Sequence, residues 1–339
     1  MATIYDVARE SGFSLSTISN VLNDGPRPVR PETRQRILEA MRLLDYHPSA
    51  MARGLARQRT NNLGILFGVV ESASIVINSY SAAILQGVLT VASESGYNIT
   101  HLTAPWRGKE YSLAQFRDRS TDGVLVVAPP TDSDLIPALA SLKLPLVAVS
   151  WPPERESVPS VDVDDVHGAR LIMGHLLDLG HRRIGHLMGH GNLISAGVRR
   201  AVYEQCLGEA GIAMRPEYVL TGTYSTESGY ENARRLLSLP EPPTAIFAGN
   251  DEIAFGAMEA ARDMGISIPG QLSIAGVDDR PLAAYVNPPL TTLRQPFVRI
   301  GEEALRLLIQ RVEGAHIPAV THLFQPELIV RGSTAPPNE

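Results

Sequence analysis

The chain has little of what marks several large classes of protein. It contains one cysteine, Cys206, so no disulfide can form within it, as in proteins of reducing compartments. The amino terminus, Met1-Ala2-Thr3-Ile4-Tyr5-Asp6, has neither an apolar core nor a small-residue cleavage site, and a cytoplasmic location is the expectation. No apolar run approaches the ~20 residues that a bilayer crossing requires, so no membrane association is expected. Glycine loops of the two common phosphate-binding types are missing, as is an HExxH zinc motif. Low-complexity tracts and solenoid repeats are missing too.

What is present suits a globular protein of two or three domains: 339 residues, 44% hydrophobic and 19% charged. The net charge of -6 conceals a division. Residues 1–60 hold nine arginines, no lysine and six carboxylates, a net +3, while the other 279 residues hold 21 basic and 30 acidic groups, a net -9. A small basic head on an acidic body suits a nucleic-acid reader joined to a separate module.

The head is dense in helix signals. Thr3 followed by Asp6 predicts a capped first turn, and Gly12 a left-handed stop. Ser14 caps a second helix, where Ile18, Val21 and Leu22 share one face and Leu15, Ser16, Ser19 and Asn20 turn outward. Pro31 opens a third with an apolar stripe of Ile37, Ala40, Met41 and Leu44. Two short helices about a glycine turn with a third behind them predict a helix-turn-helix, the alternative being a plain three-helix bundle.

Beyond Thr60, apolar runs at 63–70, 124–128, 144–149, 184–188, 245–248 and 272–277 alternate with helical stretches near 79–95, 132–142, 165–179, 195–210, 226–238 and 250–265. This rhythm predicts an α/β body of parallel sheets, large enough for two similar lobes.

The residues carry a more specific likeness. Thr3-Ile4-Tyr5-Asp6-Val7-Ala8, Ser11-Gly12-Phe13-Ser14, Ser16-Thr17-Ile18-Ser19-Asn20-Val21-Leu22-Asn23, and Thr33-Arg34 through Tyr46-His47-Pro48 resemble the head of the lactose-repressor (LacI/GalR) family of bacterial transcriptional regulators. The body continues the resemblance with Ser195 to Tyr203, Gly249-Asn250-Asp251, Ile268-Pro269, Gly276-Val277-Asp278-Asp279 and Pro288-Pro289-Leu290-Thr291-Thr292-Leu293, similar to the family's periplasmic-binding-protein-like core. The resemblance implies a helix-turn-helix domain at 1–47, a hinge helix and linker at 48–60, and an effector-binding domain at 61–339. Within the last, one lobe takes 61–161 and 291–320, and the other 162–290 and 321–339.

It also implies roles. Leu15, Ser16 and Asn20 fall where recognition-helix side chains meet base edges; Asn20 replaces the family's commoner arginine, and an amide suits adenine N6/N7 rather than guanine. Thr3, Tyr5, Thr17, Ser19 and Asn23 belong to the same interface, the last four as phosphate and positioning contacts. Ala52 and Leu55 match hinge positions that enter the minor groove, within a segment too short to be a stable isolated helix. A homodimer on near-palindromic double-stranded operator DNA is implied.

In the body, Arg199, Tyr224, Asn250, Asp278, Gln295 and Phe297 would line an effector cleft, with Trp151 a candidate stacking face. Planar polar forks suit adjacent hydroxyls and aromatic faces suit a sugar ring, so a sugar-like effector is expected. Each residue has a plainer alternative: an Arg199–Asp278 salt bridge, a helix cap at Asn250, core packing for Phe297, edge cover for Trp151. The Asn-Pro-Phe run usual after the first strand is absent, with Ile75-Val76-Ile77-Asn78-Ser79-Tyr80 in its place.

Five of the nine histidines (167, 175, 181, 186, 190) fall within 24 residues, but their spacing puts no three on one helical face. No metal, cofactor or catalytic site is expected. The resemblance therefore implies a repressor whose operator affinity follows a sugar-like effector, with a corepressed regulator answering a non-sugar metabolite such as a purine as the alternative. A transport binding protein, one rival, shares the lobed body but needs an export signal and has no use for an arginine-rich head; a sugar-acting enzyme is the other.

Overall fold

The computed structural model describes residues 2–22, 27–47, 59–68, 78–104, 106–118, 120–152 and 158–338. The head begins with α1 (Ile4–Ser11), α2 (Leu15–Leu22) and α3 (Pro31–Leu43). Thr3 and Asp6 form a reciprocal capping box at α1, and Gly12 closes it at φ 75°, a conformation that glycine adopts without a Cβ penalty. The Ser14 hydroxyl accepts from the Thr17 amide at 3.2 Å and starts α2. Val7, Ile18, Val21, Ile37 and Ala40 form the small core. Arg36 lies 5.3 Å over the Phe13 ring, so this arginine serves packing.

In chain order the body runs β1 (Asn62–Phe67), α4 (Ser79–Ser95), β2 (Asn98–His101), α5 (Lys109–Ser112), β3 (Gly123–Val127), α6 (Leu135–Ala140), β4 (Leu146–Val149), β5 (Ser160–Val163) and α7 (Asp165–Asp178). It continues with β6 (Ile184–Leu187), α8 (Ile194–Glu209), β7 (Val219–Leu220), α9 (Thr226–Leu237), β8 (Ala245–Ala248), α10 (Asp251–Asp263) and β9 (Ser273–Asp278). The remaining elements are β10 (Thr291–Arg294), α11 (Phe297–Val312), β11 (Thr321–Phe324) and β12 (Glu327–Ile329).

Two six-stranded sheets result, in the orders β11-β5-β4-β3-β1-β2 and β12-β10-β9-β8-β6-β7. The first is parallel throughout; in the second only the β10–β12 pair is antiparallel. Each sheet is buried on both faces, which explains the near-continuous apolar strands.

The chain passes between lobes after Val163, between Arg294 and Phe297, and after Phe324. These points lie two to four residues beyond the expected 161, 290 and 320, because the ladders continue: Val163 pairs with Phe324, and Thr291 to Arg294 pair with β9. Those strands are short, and their membership is decided by hydrogen bonds to a partner strand.

Each lobe contains one unusually close helix pair. A Cβ on Gly87 of α4 would fall 2.0 Å from the Val298 carbonyl oxygen, and one on Gly301 of α11 would fall 2.2 Å from that of Ile84. Gly229 and Gly256 set α9 against α10 in the same reciprocal way. Gly87→Ala should therefore destabilise the first lobe by about 1–3 kcal/mol through overpacking. Gly197→Ala, at an exposed position of its helix with open space around it, should be neutral or slightly stabilising. Urea midpoints compare the two; equal responses would refute the close-packing account.

Candidate functional site

The carboxyl ends of both sheets face one another across a cavity of about 520 Å³ lined by residues of both lobes. Ligands of open α/β sheets meet the protein at such strand ends. The backbone here is strained: Ala128, Ser150 and Asp278, all lining the cavity, have φ of 48°, 61° and 120°.

Arg199 of α8 anchors the second-lobe wall. It is 6% exposed, and its guanidinium donates from Nε to Asp165 Oδ1 at 3.0 Å and from Nη1 to the Gly249 carbonyl at 2.7 Å. Burial works against its charge, but Asp165, with Tyr224 and Asp278 nearby, more than offsets this and holds it protonated. The ionic partner is thus Asp165 at 2.8 Å, in place of the Asp278 bridge considered as the plainer reading.

Asp278 instead accepts from Gln295 Nε2 at 2.9 Å, and burial followed by the Asp251 charge raises its pKa well above the usual carboxylate range. Asn250 is a helix cap and a cavity residue at once, since its Oδ1 accepts from the Ile253 amide at 2.9 Å. Tyr224 seats its ring on Gly189, where a Cβ would meet ring carbon at 2.1 Å, and its hydroxyl lies 3.4 Å from Ser195 Oγ. Phe297 likewise has both expected roles: it lines the cavity, packs on the first-lobe core, and meets Tyr80 edge-on at 4.9 Å.

Trp151 differs from its expected place. It is 3% exposed, packs in an apolar cluster with Phe116, Leu135 and Val158, and does not line the cavity. The turn at Ser150 puts the serine hydroxyl at the cavity, 3.0 Å from Asp162 Oδ1, and carries the indole into the core.

Asp162 and Asp165 also line the cavity, although sequence reasoning does not single them out. The acidic run at 162–165 marks the first crossing, but only the fold reveals that Asp162 faces the cavity while Asp164 caps α7. Burial, then the Asp165 charge, pushes the Asp162 pKa up to about 7. The five clustered histidines are dispersed: His175 bonds Thr334, His181 bonds Thr244 and Ser273, His186 stacks between Tyr203 and Phe247, His190 reaches the cavity and His167 is exposed.

On the head, Tyr5, Leu15 and Ser16 are exposed, with Thr17, Ser19 and Asn20 half-buried beside them. Thr3 uses its hydroxyl on Asp6 at 2.8 Å, and the Ser16 and Thr17 hydroxyls each lie 2.9 Å from Ser14 Oγ. Asn20 Nδ2 donates one of its two hydrogens to the Arg27 carbonyl at 2.5 Å, which leaves the second hydrogen and Oδ1 for a further partner. Arg30 stands at the N-cap of α3 without a side-chain capping bond. Asn23, Ala52, Leu55 and the loop at 71–77 lie outside the described residues.

Residues 3–49 match the bacterial regulatory proteins of the lacI family, and residues 173–334 match the periplasmic binding protein-like domain. The HTH-type transcriptional repressor PurR of Mannheimia succiniciproducens is 34% identical over 337 residues, covering 98% of both proteins. The chain belongs to the lacI family. Among solved structures, the lac repressor dimer bound to operator and the anti-inducer ONPF superposes with a TM-score of 0.85 at 26% identity, covering 98% of this chain and 99% of that one. A complex of the transcriptional regulator CelR with cellobiose gives 0.75 at 28% identity, covering 98% and 100%. This lacI-family member is a DNA-binding transcriptional repressor and not an enzyme.

The raised carboxylates carry a pH consequence. Asp162, and Asp251 behind the cavity, whose pKa burial also pushes up to about 7, hold protons in the folded protein that the unfolded chain releases near pH 4. Their contribution to stability is complete below the unfolded value and is lost as pH rises through about 7. Asp162→Asn should flatten the fall in stability between pH 5 and pH 8, and raise stability at pH 8 by about 1–2 kcal/mol. Denaturant titrations at the two pH values test this, and an unchanged slope would refute it.

Proposed function

We propose that the chain is a cytoplasmic repressor whose operator affinity is set by a small metabolite held between its lobes. The observation that carries this is the cavity itself, where planar polar groups (Arg199, Asn250, Asp278, Gln295) and aromatic faces (Tyr80, Tyr224, Phe297) converge from both sides of the cleft. Asn20, Leu15 and Ser16 would read base edges; Tyr5, Thr17, Ser19 and Asn23 would hold phosphates, with Thr3 securing the helix that presents Tyr5. Ala52 and Leu55 would enter the minor groove at the centre of a near-palindromic site bound by a homodimer.

For the metabolite, likeness to a repressor named PurR along the whole chain favours a purine acting as corepressor over the sugar first expected. The sugar reading keeps the support of the polar forks and of the similar regulator that binds cellobiose. Lobe closure on either ligand would bias the paired hinges, and such coupling is typically about 1–3 kcal/mol, roughly 5–150-fold in affinity.

Genomic fragments captured by the purified protein supply the operator, and fluorescence anisotropy then measures its affinity with hypoxanthine, guanine and a panel of free sugars. Strengthening by a nucleobase supports the purine reading, and a response to a sugar supports the other. Gly189→Ala, which displaces the Tyr224 ring, should weaken the response at least about 10-fold. Asn20→Ala with Leu55→Ala should abolish operator binding but retain ligand binding; intact operator binding would overturn the assigned DNA contacts.

A further inference from the structure

A second cavity, of about 310 Å³, lies at the opposite end of the second-lobe sheet. It opens at the amino ends of three neighbouring parallel strands, where Arg182 and Arg183 precede β6, Tyr218 precedes β7 and Glu241 stands ahead of β8. It shares no lining residue with the interlobe cavity. Its floor is apolar: Ile184, Tyr203, Leu207 and Tyr218 are each no more than 3% exposed. Both tyrosine hydroxyls are engaged by the backbone, Tyr203 donating to the Ile184 carbonyl at 2.7 Å and Tyr218 to that of Glu241 at 2.6 Å. What these residues offer a ligand is ring and aliphatic carbon.

The rim has the opposite character. Arg182, Arg183 and Arg215 stand there, and among the described residues Glu241 is the single carboxylate of the lining. Arg215 pairs with Glu241 at 2.6 Å and lies 5.3 Å over the Tyr218 ring. The other two are held by backbone carbonyls: Arg182 Nη1 donates to those of Leu177 and His181 at 3.3 and 3.2 Å, and Arg183 Nε to that of Pro242 at 3.1 Å. A carbonyl fixes a guanidinium in place without cancelling its charge. Among the described residues neither arginine has a carboxylate partner, and both Nη groups of Arg183 are without an acceptor. The bond from Arg215 lowers the pKa of Glu241, and the charge of Arg183 adds to this more weakly, so these groups converge on one opening. Three guanidiniums against one carboxylate make a positive rim on a body whose net charge is -9.

We propose that this pocket binds a small organic anion, a carboxylate or phosphate ester carried on an apolar ring, with the ring on the floor at Tyr203 and Leu207 and the anionic group on Arg183. The site is separate from the interlobe cavity and does not rest on the effector reading. A floor whose polar atoms are already satisfied gains from covering carbon and leaves the hydrogen bonds of a polar ligand unanswered. The two Nη groups of one guanidinium form the parallel fork that receives both oxygens of a carboxylate or phosphate. Arg183 is exposed, so water and salt weaken its charge, and the bare anion gains little without the ring. The cavity volume is at the small end of the range for ligand sites, which suits a compact ring system.

Isothermal titration of the full-length protein with naphthoate and naphthyl phosphate tests this, with naphthalenemethanol as the neutral ring and inorganic phosphate as the bare anion. At least one naphthyl anion should bind at least about 10-fold more tightly than either control, and the better of the two tells carboxylate from phosphate ester. Arg183→Gln should weaken that anion about 10-fold. Ala213→Trp, which fills the pocket from an exposed position of its lining, should abolish binding. Circular dichroism checks the fold of both variants. Gly189→Ala, which alters the interlobe cavity, should leave the affinity unchanged. Loss of binding in Gly189→Ala with retention in Arg183→Gln would place the anion between the lobes and overturn the proposal. Failure of both naphthyl anions to bind, or equally tight binding of naphthalenemethanol or of inorganic phosphate, would overturn it as well.

Discussion

The buried guanidinium of Arg199 is the contact on which the second-lobe wall depends. A charge taken out of water is costly unless its hydrogen bonds are met, and this one draws its partners from separate parts of the fold. Asp165 opens α7 directly after the first crossing, Gly249 ends the β8 segment, and Arg199 itself comes from α8. The chain between lobes and the strand ends beneath the ligand space are thereby tied to one point. Asn250, next to Gly249, is set in its capping position by the same local geometry, and Tyr224 closes over Gly189 one strand away.

The first lobe answers with a different kind of contact. Tyr80 and Phe297 meet edge-on across the mouth of its sheet, and Phe297 begins α11 immediately after the second crossing. The Thr131 amide and hydroxyl both donate to the Asn192 carbonyl, at 2.9 and 3.0 Å, joining a first-lobe loop to a second-lobe loop. Ile194, two residues on, packs against the first-lobe cluster that contains Trp151. A ligand that bridges the lobes therefore acts on an interface already part polar and part apolar, and it shifts the balance of lobe positions only by binding them unequally.

Much of this was legible in sequence where the signal is local. Thr3 with Asp6, Gly12, Ser14 and Pro31 mark the head helices because caps depend on neighbours three or four residues away. The helix at Ser79–Ser95 was readable from end to end. The crossings were displaced and Trp151 misplaced for the opposite reason. Strand membership at Thr291 and Thr321 is decided by partners well over a hundred residues away for β11, and by a neighbouring strand for β10. The direction of Trp151 follows from a positive φ at Ser150, a serine that nothing in the sequence marks as a turn. Asp162 was missed because like charges converge there only through folding.

The division of charge between head and body also means more than solubility. Two head arginines are engaged in structure: Arg9 pairs with Asp6 at 2.7 Å, and Arg36 both covers Phe13 and reaches the Ser11 carbonyl. The basic surface offered to DNA is therefore smaller than the count of nine arginines implies. Fewer phosphate contacts make a weaker and less salt-sensitive nonspecific affinity, which throws more of the discrimination onto base contacts. Asn20, proposed above to meet a base edge, has one amide hydrogen already on the Arg27 carbonyl. Its second amide hydrogen and Oδ1 form the pair that an adenine edge could satisfy, and an edge of the wrong pattern would leave one of them unmet. Asn250 stands in a similar position at the cavity, where its Oδ1 caps α10 and its Nδ2 keeps hydrogens for an acceptor of matching polarity.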